Sequence, residues 1–218
     1  MSGGTYYCSI SYSGDDKYSS FTKNYRMSVA RIVPTTISAS SVSTVYNGGK
    51  YLVATLKDEN GKALSGVSVS INLNGLKYLK TDSSGRVKLT TNGLAPRTYT
   101  VTITFAGNGN YVKSTKTVKV TVKKATPKLT AGKKTFKAKV KTKKYTVTLK
   151  DNQNKVMKSV KLTIKIKGKA YTAKTNAQGK ATFKIKNLKK KGKYSAAITF
   201  KGNSNYNKVT KKVKITVK

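Results

Sequence analysis

Three stretches of this chain spell the same pattern at domain-sized intervals. Thr5-Tyr-Tyr-Cys-Ser-Ile-Ser-Tyr-Ser-Gly14, Thr98-Tyr-Thr-Val-Thr-Ile-Thr-Phe-Ala-Gly107 and Lys193-Tyr-Ser-Ala-Ala-Ile-Thr-Phe-Lys-Gly202 align without a gap. Tyr18, Tyr111 and Tyr206 follow each glycine at the same distance, and the glycines stand 93 and 95 residues apart. Each stretch is closed by a second one: Tyr25–Val29, Val118–Val122 and Val213–Val217. A period this long is too large for a solenoid unit and fits a row of domains, each with its own core. The front halves repeat as well. Lys57-Asp58 matches Lys150-Asp151, Val67–Ile71 matches Val160–Ile164, and Thr81–Arg86 matches Thr175–Lys180. The first copy has no such front half, so residues 1–33 read as the last two strands of a domain.

Within each copy the period is two. Val101, Ile103 and Phe105 alternate with threonines, and Leu162, Ile164 and Ile166 alternate with lysine and threonine. Such alternation marks half-buried antiparallel strands. Turn-forming runs such as Asn47-Gly48-Gly49, Asp58–Gly61, Asp82–Gly85 and Asn108-Gly109 separate them. About seven short strands per repeat predict a two-sheet sandwich of immunoglobulin-like (Ig-like) type. The expected fold is therefore all-β: tandem Ig-like antiparallel β-sandwiches, with a two-strand remnant over 1–33 and sandwiches over 34–124 and 125–218. Pro34 and Pro127 open the first strand of each full copy. The joins at Ala30–Val33 and Lys123–Thr126 are short, which restricts bending.

Charge is graded along this row. Of 46 basic and 6 acidic residues, 1–34 hold four and two, 35–124 thirteen and three, and 125–218 twenty-nine and one. So large a net charge argues for disorder, but the regular apolar alternation outweighs it. Charge of this size bears on partners and solubility, and it points to a polyanion. No stretch approaches the roughly 20 apolar residues needed to span a bilayer, so no membrane insertion is expected. Met1 is followed by Ser2, Gly3 and Gly4, with no basic and apolar leader.

The order Thr-(Asp/Asn)-x-x-Gly-(Arg/Lys), then Tyr-x-x-x-Ile-Thr-Phe-x-Gly-Asn-x-Asn-Tyr, then Val-x-(Val/Ile)-Thr-Val, resembles the Ig-like repeats of prokaryotic cell-surface adhesin-like proteins. The lysine and asparagine loading is similar to that of methanogenic archaea with pseudomurein walls. The resemblance covers 35–218 as two repeats and 1–33 as a partial one. It implies an extracellular, cell-surface protein with a stalk or wall-association role, and, with no leader in this chain, a fragment or truncated product. It further implies that adhesion to other cells resides in upstream domains. The fold is implied more specifically than the function, because such repeats serve several roles.

Catalytic chemistry finds few residues to use. Histidine is absent, which removes histidine-based triads and metal sites. The six carboxylates are Asp15, Asp16, Asp58, Glu59, Asp82 and Asp151. Their adjacent pairs fall in turns rather than on facing positions, so no enzyme, metal or cofactor is expected. Asp82–Gly85 and Asn176–Gly179 read as Asx turns, since a calcium loop needs more carboxylates. The single cysteine, Cys8, aligns with Val101 and Ala196 on an inward face. It is either a small buried apolar residue or, if that face is uncovered, a reactive thiol. A lysine–asparagine cross-link, implied only by analogy with some surface repeats, lacks the usual supply of acids.

Lysine placement is the positive signal. Lys133, Lys134, Lys141, Lys143, Lys144, Lys165, Lys167, Lys169, Lys189, Lys190, Lys191 and Lys193 are the candidate polyanion-binding residues. A solvated face explains alternating lysine but not twenty-nine bases against one acid, since mixed charge also solubilises. The expected partner is an anionic cell-wall polysaccharide or glycan. Non-specific nucleic acid binding in vitro is the alternative, weakened by having only Arg26, Arg31, Arg86 and Arg97 and no base-reading helix. The hairpin over 5–30 has an apolar face with no partner sheet. It is expected to be poorly ordered, to dock on 35–124, or to pair with another chain.

Overall fold

The computed structural model describes residues 3–218, and its regular elements are all strands. Met1 and Ser2, which belong to the leader reading, lie outside the described residues. The chain forms two compact units: Met1–Ser40, Val53–Leu89 and Thr100–Lys119 in one, and Ser41–Leu52, Thr90–Tyr99 and Val120–Lys218 in the other.

The first strands, β1 (Gly4–Tyr12) and β2 (Phe21–Val29), make a two-stranded sheet by themselves. Then come β3 (Thr35–Ala39), β4 (Val42–Val45), β5 (Tyr51–Asp58), β6 (Ser68–Asn72), β7 (Leu76–Lys80), β8 (Arg86–Thr90), β9 (Thr98–Phe105) and β10 (Ser114–Lys123). They form a three-stranded sheet, β3-β5-β8, and a five-stranded sheet, β4-β10-β9-β6-β7. The same order returns in β11 (Lys128–Thr130), β12 (Lys134–Phe136), β13 (Lys143–Lys150), β14 (Lys161–Ile166), β15 (Lys169–Lys174), β16 (Lys180–Ile185), β17 (Gly192–Phe200) and β18 (Val209–Val217). Their sheets are β11-β13-β16 and β12-β18-β17-β14-β15. The fold is that of tandem Ig-like sandwiches.

Two details depart from the expectation. Each repeat has eight strands rather than about seven, and each five-stranded sheet holds one parallel pair, β4 with β10 and β12 with β18. The reason is a switch at the start of each repeat. β11 pairs with β13, and after Ala131-Gly132-Lys133 the chain moves to the other sheet as β12 beside β18. The break carries no strong turn signal, so one predicted strand is in fact two.

Packing follows the period. In β13, Tyr145, Val147 and Leu149 are buried, and beside them in the same sheet Ala181, Phe183 and Ile185 of β16 are fully buried. From the other sheet Leu162, Ile164, Ile198, Phe200 and Ile215 close the same core. Each fully buried large apolar side chain contributes about 1.5–3 kcal/mol. In the first unit Ile37, Leu56, Val69 and Val87 line one small apolar void.

The turns are held by carboxamides and carboxylates, one device used many times. Asp82 Oδ1 accepts from the backbone N–H of Ser84 and Arg86, each at 2.9 Å. Asn176 Oδ1 accepts from Gln178 and Lys180 at 3.0 Å in the second copy. Asp58 and Asp151 do the same for their own turns. Beside these turns Thr81 and Thr175 are buried, each donating its hydroxyl over 2.6 Å to the carbonyl of Leu64 or Met157. The backbone N–H of Arg86, chiefly, holds the Asp82 carboxyl below its ordinary range. Its contribution is therefore complete above that ordinary range and is lost as the pH falls through the lowered value. Because Asn176 does this work uncharged, Asp82→Asn is expected to hold the neutral-pH unfolding midpoint of the chain. Asp82→Ala is expected to lower it by several degrees, as read in a thermal melt by circular dichroism. Acidification below the carboxylate range should lower the parent's midpoint by more than that of Asp82→Asn, because the share of the loss that belongs to Asp82 is missing from the variant.

The Gly-Asn-x-Asn-Tyr loops follow β9 and β17. Asn108 and Asn203 accept the backbone N–H groups of Asn110, Tyr111, Asn205 and Tyr206 at 2.8–2.9 Å. Gly107 and Gly202 stand at φ +83° and +85°, where a Cβ would meet backbone atoms at 2.8–2.9 Å. Each loop clasps the join that leads into its own repeat. Val33 donates to Asn110 O and accepts from Val112 N, and Ala125 donates to Asn205 O and accepts from Asn207 N. That role of the loop was not read from the sequence.

Candidate functional site

The basic residues of 125–218 are set by strand parity. Outward positions of β13 and β16 bring Lys144 opposite Lys184, while β11 and β13 bring Lys128 opposite Lys150. Like charges directly opposite repel one another and disfavour the sheet slightly. The inward faces of the same strands carry the core, which holds them in place.

Asp151, the one acid in this stretch, accepts at Oδ1 the backbone N–H groups of Gln153 and Lys155, each at 2.8 Å. The ion pairs with carboxylates among the described residues are Arg31–Glu59 at 2.8 Å and Arg86–Asp82 at 3.3 Å, both outside 125–218. Among the described residues no lysine of 125–218 is therefore ion-paired with a carboxylate.

The twelve candidate lysines do not converge on one site. Lys144 is on the outer face of the three-stranded sheet, and Lys165 is on that of the five-stranded sheet, in the row with Ala197 and Lys212. Lys167 occupies the β14–β15 turn with its Nζ 6.0 Å from the centre of the Tyr194 ring, and Lys169 begins β15. Tyr194 donates its hydroxyl to Lys190 O at 2.8 Å, so Lys189, Lys190 and Lys191 lie in the loop before β17, near Lys167. Lys193 faces Thr216. Lys134 opens β12 opposite Ile215, and Lys141 is exposed in the loop before β13.

Lys143 is a correction. It is 1% exposed, opposite Ile185, and its ammonium donates to Val140 O at 2.8 Å, with Ala138 O at 3.5 Å. It shares the inward parity of Tyr145, Val147 and Leu149, so its charge serves the backbone and is not available to a polymer. Lys50, at the matching position of the other repeat, is exposed but also reaches a carbonyl, Ser43 O at 2.9 Å.

Two basic grooves are formed by residues mostly absent from that candidate set. One opens beside β18 where β12 stops pairing. It is lined by Lys133, Ser195, Lys211, Lys212 and Lys214. The other lies between β15 and β16, the edges of two different sheets. Tyr171, Lys174, Asn176, Lys180 and Lys184 line it. Strand spacing sets the ammonium array, since residues two apart stand about 6.6–6.8 Å from one another on the same face. Each groove offers at least three cations with hydroxyl or amide groups beside them. The alternation of lysine on both edges could have pointed to the second groove, but only the three-dimensional meeting of β15 and β16 creates it.

No group of three or more His, Cys, Asp or Glu able to hold a metal ion occurs among the described residues. No helix among them is long and apolar enough to cross a membrane.

No protein-family model matches this chain, and no curated protein sequence matches it. Several solved structures align with it at low identity. A structure concerning host cell surface retention of a 1.5-MDa bacterial ice-binding adhesin is 16% identical, with a TM-score of 0.39, over 98% of this chain and 75% of that one. Invasin, a bacterial integrin-binding protein, is 20% identical with a TM-score of 0.48, over 84% of this chain and 39% of its own. A tetra-tandem repeat from the extending region of a large adhesion protein is 14% identical with a TM-score of 0.42, over 100% and 57%.

Proposed function

We propose that this chain is a non-catalytic, adhesin-like stalk and wall-association segment of the cell surface. It is built as a two-strand element over 1–33 and Ig-like domains over 34–124 and 125–218. The second of these domains holds an anionic, pseudomurein-like wall polymer by charge. The observation that carries this reading is the twenty-nine basic residues against a single acid, whose carboxylate is engaged by its own turn. The grooves lined by Lys133, Lys211, Lys212 and Lys214, and by Lys174, Lys180 and Lys184, each gather several of these cations. One exposed ion pair contributes only about 0.2–1 kcal/mol, so attachment comes from many pairs acting together on one polymer.

The test is sedimentation of the whole chain with purified cell walls. In dilute buffer the protein is expected in the pellet, and in 0.5 M salt in the supernatant, because the screening length shortens to a few ångströms, about 3 Å at 1 M. Replacing Lys174, Lys180 and Lys184 by glutamine should weaken retention at least tenfold, the equivalent of about 1.4 kcal/mol. DNA of equal charge added as competitor should release only part of the protein. Full release by DNA would favour the nucleic acid reading, and no pelleting in dilute buffer would end the wall-association reading.

A further inference from the structure

The β1–β2 hairpin is folded in the register of a complete sandwich, but most of its apolar face is exposed. Tyr6, Cys8, Ile10 and Tyr12 of β1 stand opposite Met27, Tyr25, Lys23 and Phe21 of β2. In the last repeat, Tyr194, Ala196, Ile198 and Phe200 of β17 stand opposite Ile215, Val213, Lys211 and Val209 of β18. The two ladders match residue for residue, and Gly4 opposite Val29 repeats Gly192 opposite Val217. Even the lysine on that face recurs, as Lys23 and Lys211. The loop recurs too. Asp15 N–H donates to Tyr18 O at 2.9 Å, as Asn203 N–H does to Tyr206 O at 2.9 Å.

Burial is where the copies part. Ile198 and Ile215 are 0% exposed, whereas Ile10 and Met27 are each 51% exposed. Ala196 is buried, and Cys8 in its place is exposed. The opposite face of the hairpin carries Tyr7 among mostly polar residues, with Ser9 donating to Asn24 at 2.6 Å and Ser11 beside Thr22 at 3.1 Å. In the last repeat the matching apolar face is covered by β11, β13 and β16, and the open edge of β17 is taken by β14. The hairpin presents both the same face and the same free edge.

We propose that this face and edge form a docking surface for one occupant: the front half of an Ig-like repeat, six strands patterned as β11–β16. A single such segment satisfies both requirements at once, giving a β14-like strand to the edge and a three-stranded sheet to the face. The front halves within these 218 residues are already engaged, because β6 pairs with β9 and β14 with β17. The occupant is therefore a further front half, and it excludes water from Cys8, Ile10, Tyr25 and Met27. Shape and apolar contact recognise it, and the lysine array plays no part.

Cys8 reports the outcome, being the single cysteine. A copy of residues 125–191 is spliced directly ahead of Gly4 in the full chain, so that Gly4 takes the place of Gly192. In the parent chain Cys8 should react with 5,5′-dithiobis(2-nitrobenzoate) as an open thiol, at a rate independent of protein concentration. In the spliced chain the rate should fall about 100-fold or more, because reaction then waits on local opening. Ile10→Lys in the spliced chain should restore the fast rate. A spliced chain whose Cys8 reacts within about threefold of the parent overturns the proposal, whatever the cause. Protection of Cys8 in the parent that grows with protein concentration overturns it in favour of a second copy as the occupant. In the parent, Ile10→Lys and Met27→Lys should leave the thermal midpoint in place, whereas Ile198→Lys should abolish its domain's transition. A lowered midpoint for Ile10→Lys in the parent would mean the chain already covers its own hairpin, and would also overturn the proposal.

Discussion

Phe183→Ala is expected to lose about 3–5 kcal/mol of stability. Phe183 is fully buried in β16, across the ladder from Tyr145, at the centre of the core that both sheets of 125–218 share. Removing the ring forfeits its transfer energy and leaves a void that the stiff strands on either side cannot fill. For a domain of this size about 1 kcal/mol moves the midpoint by about 4–8 °C, so the shift should be of the order of 15–30 °C or more. Calorimetry of the whole chain reads it directly. Wall retention measured well below the new midpoint should be unchanged, since the outward lysines do not move. A shift of only a few degrees would mean that the two sheets do not pack on this side chain.

Lys143→Ala is expected to lose about 2–4 kcal/mol, with polymer retention unchanged. The side chain is buried and its ammonium satisfies carbonyls in the 137–142 segment, at Val140 and Ala138. Alanine leaves those acceptors without their donor and opens a space beneath the loop. Lys143→Met refills most of the volume but not the hydrogen bonds, so it should recover part of the loss and leave about 1–3 kcal/mol. Lys144→Gln, one residue on, should do the reverse: little change in stability and a smaller salt dependence of wall retention. If Lys143→Ala weakened retention as Lys144→Gln does while the melt stayed put, the ammonium would be outside after all.

These two residues show how far the chain could be read before its structure was known. Phe183 was legible, because a strand with one dry face must alternate, and Lys180-Ala-Thr-Phe-Lys-Ile185 does so. Lys143 was legible in principle by the same count, being two, four and six residues from Tyr145, Val147 and Leu149. Lysine content and spacing alone group it with the polyanion-binding candidates. A charged side chain at an inward position is uncommon, and no periodicity argument says that two carbonyls stand ready to receive it. The first strand of each repeat misled in another way. Its division between two sheets at Ala131-Gly132-Lys133 depends on which neighbour offers the better edge, and that neighbour, β18, lies more than 70 residues away in sequence.

The turns were read correctly as Asx turns because their chemistry is local. Asp82 and Asn176 bond to atoms within four residues of themselves. The clasp of Val33 on the Asn108–Val112 loop is not local, and nothing in either segment alone announces it.

By itself the amino-acid order determined the repeat, the strand period, the turn chemistry and the gradient of charge. All of these arise from neighbours in the chain and need no knowledge of what lies across the core. Tertiary structure decided which cations meet. The groove of Lys174, Lys180 and Lys184 exists because β15 and β16 end different sheets side by side, Lys143 is lost to solvent because carbonyls reach it, and Ile10 is wet where Ile198 is dry. Parity assigns each residue a face, but only the presence or absence of an opposing layer turns that face into core or surface.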